Sequence, residues 1–254
     1  MAARKGRYTR LLVGSTAGAW DFSGVSNSLE VALNVERLET TAFQETGATS
    51  IAGDTSGTLT QNGYYQNPAA GEFEQEMAAA IASTTSLFVA ALFGTDTDAC
   101  PAYVAPAANA AGLTLGSEVA GLITASGEWA QGTGILRGLR VWQGTISATG
   151  AQTSPGYIDL GAAGAAGGTA WIWVRAVTGT ATNAAIVLQS STATGFGSPT
   201  TRATFTFSSA TGRTQQQSMG AGVVDRYLRL NTTSMGGATS FEVTVIAAVR
   251  GITN

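Results

Sequence analysis

The fold is decided between Trp20 and Tyr65, where the chain reads WDFSGVSNSLEVALNVERLETTAFQETGATSIAGDTSGTLTQNGYY. A half-buried strand is predicted over Ser28–Glu36, because every second residue there is apolar: Leu29, Val31, Leu33 and Val35. A second strand is predicted over Thr58–Tyr65. The polar loop between them, Arg37–Ser56, is twenty residues long. Compact domains seldom carry a loop of that size without a use, so this loop is the first candidate for function.

The rest of the first 150 residues is expected to be mainly β with one helix. The helix is predicted over Ala69–Ser83, since Asn67-Pro68 suits a helix start and acidic residues follow it. It should lie on a sheet with one apolar face, made of Phe73, Met77, Ala80 and Ile81. Further strands are predicted at Leu87–Phe93, Glu118–Ser126 and Ile135–Ser147.

The second part of the chain is expected to be an all-β sandwich. Residues 148–168 are rich in Gly, Ala, Ser and Thr, as linkers are, and a boundary near Gly150 gives domains 1–150 and 151–254. Short strands separated by turn residues follow at Ala170–Val177, Ala184–Gln189, Arg202–Ser208, Gln215–Met219, Arg226–Asn231 and Ser240–Val249. This number of short strands in roughly a hundred residues is typical of a sandwich.

The composition excludes most catalytic chemistry. The chain has no histidine, one lysine, Lys5, and one cysteine, Cys100. The usual general acid or base near neutral pH is therefore missing, and neither a Ser-His-Asp triad nor an intrachain disulfide can form. Asp96 and Asp98, with Cys100, supply too few oxygen ligands for a calcium loop. We expect no enzymatic activity, no cofactor and no metal.

Charge is distributed unevenly along the chain. Between residues 11 and 136, thirteen acidic residues face one basic residue, Arg37, whereas from Arg137 onward eight arginines face three acidic residues. Ordinary solvated surfaces that happen to differ would give this pattern. Alternatively, an acidic surface keeps a polyanion from adhering, and opposite signs on two regions favour packing between copies.

The N-terminal residues predict neither an export signal nor membrane insertion. Basic residues there lead into only a short apolar patch, Leu11–Val13, before polar residues resume. The longer apolar stretches are too short, or too interrupted by glycine, to span a bilayer. We therefore expect a protein that is made in the cytoplasm.

Five stretches carry a resemblance to a known family. Two lie in the first part, SNSLEVALNVERLETTAFQET at residues 26–46 and IAGDTSGTLTQNGYYQN at residues 51–67. Three lie in the second part: VLQSSTATGF, VVDRYLRLNTT and SFEVTVIAAVRG. They resemble the major tail proteins, or tail tube proteins, of long-tailed bacteriophages. The resemblance implies a mainly β chain, with a tail-tube-type β-sandwich or barrel carrying one helix, followed by an all-β sandwich that decorates the outside.

The resemblance implies a structural virion protein that associates with itself. In that family, rings usually of six subunits stack into a hollow tail tube, through which phage DNA passes without specific contacts. Tape-measure and other tail proteins would be further partners. The loop Arg37–Ser56 would reach the adjacent ring, with candidate contacts at Glu39, Thr40, Thr41, Phe43, Gln44, Ile51 and Asp54. Glu30 and Glu36, on the opposite side of their strand from the apolar residues, are candidates for the lumen.

Two of these features have alternative interpretations. The long loop would be an inert surface excursion if Phe43 and Ile51 pack on their own domain. Trp171 and Trp173 lie two apart on a predicted strand and share a side, which suits either a glycan platform or core packing. The alternative function is accordingly a virion decoration or carbohydrate-binding β-sandwich protein.

Overall fold

The computed structural model describes residues 9–15, 18–39, 50–66, 71–83, 85–94, 99–117, 121–131, 134–153, 156–164 and 167–251, without the side chains of 36–39 and 50–55. Within these residues the chain forms sixteen strands and one helix. The predicted mainly β fold class is therefore confirmed. None of the described helices is long and apolar enough to cross a membrane.

The chain divides into two compact units, which we describe separately. The "sandwich unit" contains Met1–Ser23, Ala90–Tyr103 and Arg137–Asn254, and the "hairpin unit" contains Gly24–Val89 and Val104–Leu136. These units interleave along the sequence. The domain division predicted at Gly150 stays a prediction.

The sandwich unit is built from two antiparallel sheets. Its strands are β1 (Arg10–Gly14), β2 (Ala19–Asp21), the end of β5 (Leu87–Leu92), the start of β6 (Pro101–Gly116), β8 (Leu136–Ile146), β9 (Gly150–Ala151), β10 (Ile158–Asp159), β11 (Gly168–Gly179), β12 (Ala184–Ser191), β13 (Thr200–Phe207), β14 (Thr214–Ser218), β15 (Tyr227–Ser234) and β16 (Ala238–Val249). The first sheet has the order β14-β11-β16-β8-β6-β5-β1-β2. The second has the order β10-β15-β12-β13, and β9 also pairs with β15.

An apolar core lies between these two sheets. Strand β11 contributes alternate residues, Ala170, Ile172 and Val174, all of which are fully buried. From the second sheet come Leu188, Phe205 and Leu230. The rings of Phe207 and Phe241 meet edge to face, with centroids 5.0 Å apart. These strands are predictable from sequence because they are short runs rich in apolar and β-branched residues between turn residues.

The N-terminal strands β1 and β2 end the first sheet on one side and contact β11 and β14 at its other side. Thr214 Oγ1 donates a hydrogen bond of 3.2 Å to the Gly18 carbonyl. A Cβ atom at Gly14 would overlap the Thr214 side chain and lie 3.0 Å from Trp173 Cδ1, so only glycine fits this close approach. Asp21 accepts hydrogen bonds from Arg10, at 3.0 Å, and from Arg175, at 2.6 Å.

The hairpin unit is a helix on one face of an antiparallel sheet. Its sheet has the order β3 (Ser26–Glu39), β4 (Ser50–Tyr64), β7 (Thr124–Gln131) and the second half of β6. Helix α1 (Phe73–Ser83) buries Phe73, Met77 and Ala80. The Phe73 ring meets Trp129 of β7 edge to face, with centroids 6.0 Å apart. The predicted apolar face is thus confirmed except for Ile81, which is exposed.

One predicted strand of this unit is misplaced. The strand expected at Glu118–Ser126 is observed at Thr124–Gln131, and residues 118–120 lie outside the described part of the chain. The predicted strand begins too early because it includes the apolar pair Leu122 and Ile123. Both of these side chains are exposed. The buried side of β7 instead consists of small or polar residues and one tryptophan: Ala125, Gly127, Trp129 and Gln131.

Candidate assembly surface

The hairpin formed by β3 and β4 is longer than the sequence predicts. The two strands pair from Ser26 with Gly63 as far as Glu39 with Ser50. The loop predicted over Arg37–Ser56 is therefore wrong in extent, because residues 37–39 and 50–56 of it are strand. A stretch rich in Thr, Glu, Gln and Gly was interpreted as a loop, yet its two ends are strand because they pair with each other across the hairpin.

The distal part of this hairpin extends beyond the rest of its sheet. Strand β7 pairs with β4 from Gly57 to Tyr64, whereas the described pairing of residues 50–56 is with β3 alone. We call residues 33–39 and 50–56 the hairpin arm. A two-stranded ribbon of this kind is rarely stable in isolation unless another surface covers it.

The candidate inter-ring residues lie at or beyond the end of this arm. Glu39 pairs with Ser50, and Ile51 pairs with Leu38. Asp54 lies within β4. The other candidates, Thr40, Thr41, Phe43 and Gln44, lie outside the described residues. Their contact with an adjacent ring stays a prediction.

The apolar face of β3 continues onto the arm without a cover from its own unit. Val31 pairs with Leu59, and Leu33 pairs with Gly57. Because paired residues share a face and Leu33 lies two residues after Val31, Leu33 is on the same face as the buried Leu59. Leu33 is 53% exposed and Val35 is 55% exposed. Leu29 and Val31, nearer the middle of the sheet, are half-buried as predicted. Two residues of the predicted apolar stripe are thus half-buried and two are exposed.

A second exposed apolar group lies at the other end of the same sheet. Leu115, Leu122 and Ile123, which we call the end cluster, are 48%, 72% and 45% exposed. Leu115 is paired with Ala125, near the start of β7, whereas Gln131 at the end of β7 is paired with Gly57 beside the arm. The eight residues of β7 separate the two groups by roughly 25 Å.

The face of the sheet opposite α1 is polar. Glu30, Thr60 and Glu128 form one row across three strands, since Glu30 pairs with Thr60 and Thr60 pairs with Glu128. Both carboxylates are exposed. A neighbouring row across four strands contains only small polar side chains: Ser28, Asn62, Ser126 and Thr114. We call this the polar face, and its described rows contain no basic side chain.

Sequence reasoning placed Glu30 correctly on an exposed strand face but missed Glu128. The signal for Glu128 was present, because it precedes the buried Trp129 in an alternating segment. That segment was assigned outside the predicted strand. Glu36 lies at the register shift between Val35 and Arg37, and its side chain is outside the described set. A position of either predicted carboxylate in a lumen stays a prediction.

Trp171 and Trp173 do not form an exposed platform. Both side chains are fully buried in the sandwich unit. The Trp171 indole Nε1 donates a hydrogen bond of 3.0 Å to Gln216 Oε1. Of the two interpretations of this pair, the burial fits packing, because a glycan needs an accessible ring face.

The described residues bring no metal-binding group together. No cluster of three His, Cys, Asp or Glu side chains suited to a metal occurs among them. Cys100 is buried, and the nearby Asp96 and Asp98 are beyond the described residues.

Comparisons with known proteins find similar structures only at low identity. No family model and no curated protein matches the chain. Similar solved structures come from tails and related particles. A chain in the "Virion of native gene transfer agent (GTA) particle" is 11% identical, with 52% of this chain and 97% of that chain covered and a TM-score of 0.39. The SPP1 tail tube protein is 15% identical, with 53% and 78% covered and a TM-score of 0.43.

A further likeness is to a tail hub component. The SPP1 Dit protein, described as a hub adsorption apparatus of phages that infect Gram-positive bacteria, is 9% identical. It covers 94% of this chain and 98% of its own length, with a TM-score of 0.34.

Proposed function

We propose that this protein is a structural virion subunit that assembles into stacked rings and forms the hollow tail tube of a long-tailed phage. The observation that carries the proposal is the hairpin unit's sheet, with a helix on one face and a polar, acidic face on the other. An antiparallel sheet with one bare polar face suits the lining of an aqueous channel. The sequence resemblance to tail tube proteins supports the same function.

The strand order allows the sheet to continue from one subunit to the next. Strands β3 and β6 lie at the two sides of the four-stranded arrangement. Because neighbouring strands alternate in direction, β3 and β6 run opposite to each other. Pairing β3 of one copy with β6 of another therefore preserves the antiparallel pattern. Such a contact is heterologous and gives a ring if the rotation closes. Six subunits per ring is the number that the family resemblance favours.

The charge of the polar face suits a channel for DNA. In a closed ring this face would line the lumen, with Glu30 and Glu128 repeated in every subunit. DNA is a dense polyanion that binds proteins largely through basic side chains. A lumen of carboxylates and small hydroxyl side chains would offer it little adhesion. Glu36 would join this set if its side chain faces the same way.

The apolar groups at the two ends of the sheet suit stacking of rings. We propose that the hairpin arm of one subunit, through Leu33 and Val35, contacts the end cluster of a subunit in the next ring. The two surfaces lie at opposite ends of β7, so the same contact repeats from ring to ring. The inter-ring residues beyond the arm would add to it. The C-terminal part of the chain would decorate the outside, and tape-measure and other tail proteins would bind the assembled tube.

Electron microscopy of the purified full-length protein tests this function. We expect rings or hollow tubes, with a lumen wide enough for duplex DNA. A variant in which residues 40–49 are replaced by a short Gly-Ser linker should remain folded by circular dichroism but form single rings. A wild-type protein that stays a monodisperse monomer at high concentration and binds glycans would favour the alternative function, a decoration or carbohydrate-binding protein, and contradict the tail tube.

A further inference from the structure

A compact group of aromatic and arginine side chains lies on the outer face of the second sheet of the sandwich unit. It consists of Tyr157, Asp159, Gln189, Phe196, Arg226, Tyr227 and Arg229, which we call the aromatic–arginine patch. Asp159 is paired with Tyr227 on neighbouring strands, so both point to the same side. Their sequence neighbours Ile158 and Leu228 are buried on the core side. The patch therefore faces away from the core.

Three aromatic rings form the base of the patch. Tyr157 meets Tyr227 edge to face at 5.4 Å and lies 6.4 Å from Phe196. Phe196 comes from the connection between β12 and β13, which folds back over the sheet and buries this ring to 5% exposure. Its φ of +48° is uncommon for a bulky residue, and such conformations recur at ligand-binding sites. Tyr157 remains 42% exposed.

Two guanidinium groups lie over these rings in fixed orientations. The Arg229 guanidinium carbon is 4.3 Å from the Phe196 ring centroid, and its Nε donates to Gln189 Oε1 at 2.9 Å. Arg226 lies 5.2 Å over Tyr227, and its Nε and Nη2 each donate to an Asp159 oxygen at 2.7 Å. Arg226 is thus matched by a carboxylate of the same chain. Among the described residues, no acceptor pairs with the two Nη groups of Arg229.

This arrangement has the chemistry of a site for an acidic sugar. A guanidinium that is stacked and held through Nε presents its remaining donors as a fork that fits a carboxylate. An exposed tyrosine ring beside it can stack on the apolar face of a sugar ring. Side chains that can bond to hydroxyl groups continue along the same sheet face, at Gln189, Asn231 and Thr204, since Val187 pairs with both Asn231 and Thr204. Packing alone would need neither the exposed ring nor the open guanidinium donors.

We propose that the aromatic–arginine patch binds a carboxylate-bearing saccharide, with Arg229 contacting the carboxylate and Tyr157 contacting the sugar ring. This site goes beyond assembly of the tube and does not depend on it. It also differs from the buried pair Trp171 and Trp173. The ligand would be an acidic glycan of the kind exposed on cell envelopes.

Titration calorimetry of the full-length protein with hexagalacturonate, and with neutral cellohexaose as comparison, tests the site. We expect saturable binding of the acidic oligosaccharide that weakens about tenfold or more in Arg229→Gln and in Tyr157→Ala. Arg229→Lys keeps the charge but loses the fork, so it should also weaken binding. Exposed residues elsewhere supply matched controls, Arg137→Gln and Tyr64→Ala, which should bind like the wild type.

Three results would overturn the proposal. The first is no saturable binding of hexagalacturonate by the wild type. The second is equal binding of the neutral and acidic oligosaccharides, which would remove the role of the carboxylate. The third is equal loss of binding in Arg229→Gln and Arg137→Gln, which would reduce the effect to net charge. Should Tyr157→Ala fail to fold, the two Arg229 variants still decide the outcome. Failure of tube assembly would leave these measurements unaffected.

Discussion

At the scale of single residues, the pair Asp159 and Arg226 gives a direct prediction of pH dependence. The hydrogen bonds from Arg226, followed by that from the Gly161 backbone, lower the pKa of Asp159 from 3.8 to about 2. A carboxyl whose pKa is lowered on folding stabilises the native state above pH 3.8, and this contribution is lost as the pH falls towards 2. Because the pair is exposed, the effect on global stability should be small.

Carboxyl titration followed by NMR checks this prediction. The Asp159 signal should titrate with a midpoint near 2 in the wild type and move back towards 3.8 in Arg226→Gln. Arg202→Gln, whose partner is Asp225, serves as the control and should leave the Asp159 midpoint unchanged. An Asp159 midpoint near 3.8 in the wild type would contradict the ion pair.

A second prediction for single residues concerns the packing of α1 on the sheet at Gly127. A Cβ atom at Gly127 would lie 2.7 Å from Phe73 Cζ and 3.0 Å from Met77 Cε. Gly127→Ala should therefore displace α1 and lower the free energy of unfolding by about 1–3 kcal/mol. Gly112→Ala is the matched control, because nothing lies within 4 Å of a Cβ atom there. Chemical denaturation measures both, and equal stability of the two variants would show that α1 does not depend on this close contact.

At the scale of elements, substitutions in the hairpin arm should affect assembly without affecting the folding of the monomer. Leu33 and Val35 are more than half exposed, so replacing both by aspartate should change monomer stability by no more than about 1 kcal/mol. The same change puts charge into the proposed contact with the end cluster and should prevent stacking, leaving single rings.

Sedimentation velocity, combined with electron microscopy, measures the effect of the arm substitutions. Ile81→Asp is the matched control, since this residue is exposed on α1 of the same unit and belongs to neither strand of the arm. It should assemble like the wild type. Full-length tubes from the doubly substituted arm would show that the apolar stripe of β3 plays no part in stacking.

Sequence reasoning succeeded for elements with a strong β composition of their own. The six strands predicted after Gly150 are all observed, with ends shifted by at most three residues, because runs rich in β-branched and aromatic residues are bounded there by turn residues. It failed for β6, because ten of its sixteen residues are alanine, glycine or proline, which are weak strand formers. Strands β3 and β4 were predicted too short. The arm depends on pairing between these two strands, and the pattern within one strand does not show that pairing.

The candidate surface was predictable only in part. Alternation in β3 placed Glu30 opposite the apolar residues, as observed. Glu30 and Glu128 share a row only because of the pairing register of three strands. That register cannot be read from the spacing of residues in the sequence. The aromatic–arginine patch was missed for a similar reason, because Phe196 is brought there by a connection that folds back over the sheet.

At the scale of the whole molecule, the proposed lumen makes a prediction about DNA. Assembled tubes of Glu30→Lys or Glu128→Lys carry a new ring of positive charge where the wild type carries carboxylates. They should retain duplex DNA more strongly at low salt, and this retention should fall steeply as salt rises. Glu74→Lys, which adds the same charge on α1, should retain less DNA if the polar face alone lines the channel. Equal retention by all three variants would contradict that assignment.

The position of β1 and β2 also bears on how the protein is made. These strands, formed by residues 10–21, contact β11 and β14, which are synthesised more than 140 residues later. The sandwich unit therefore closes only when most of the chain has left the ribosome. Contacts so distant in sequence form slowly, and until they form the chain exposes unpaired strand edges.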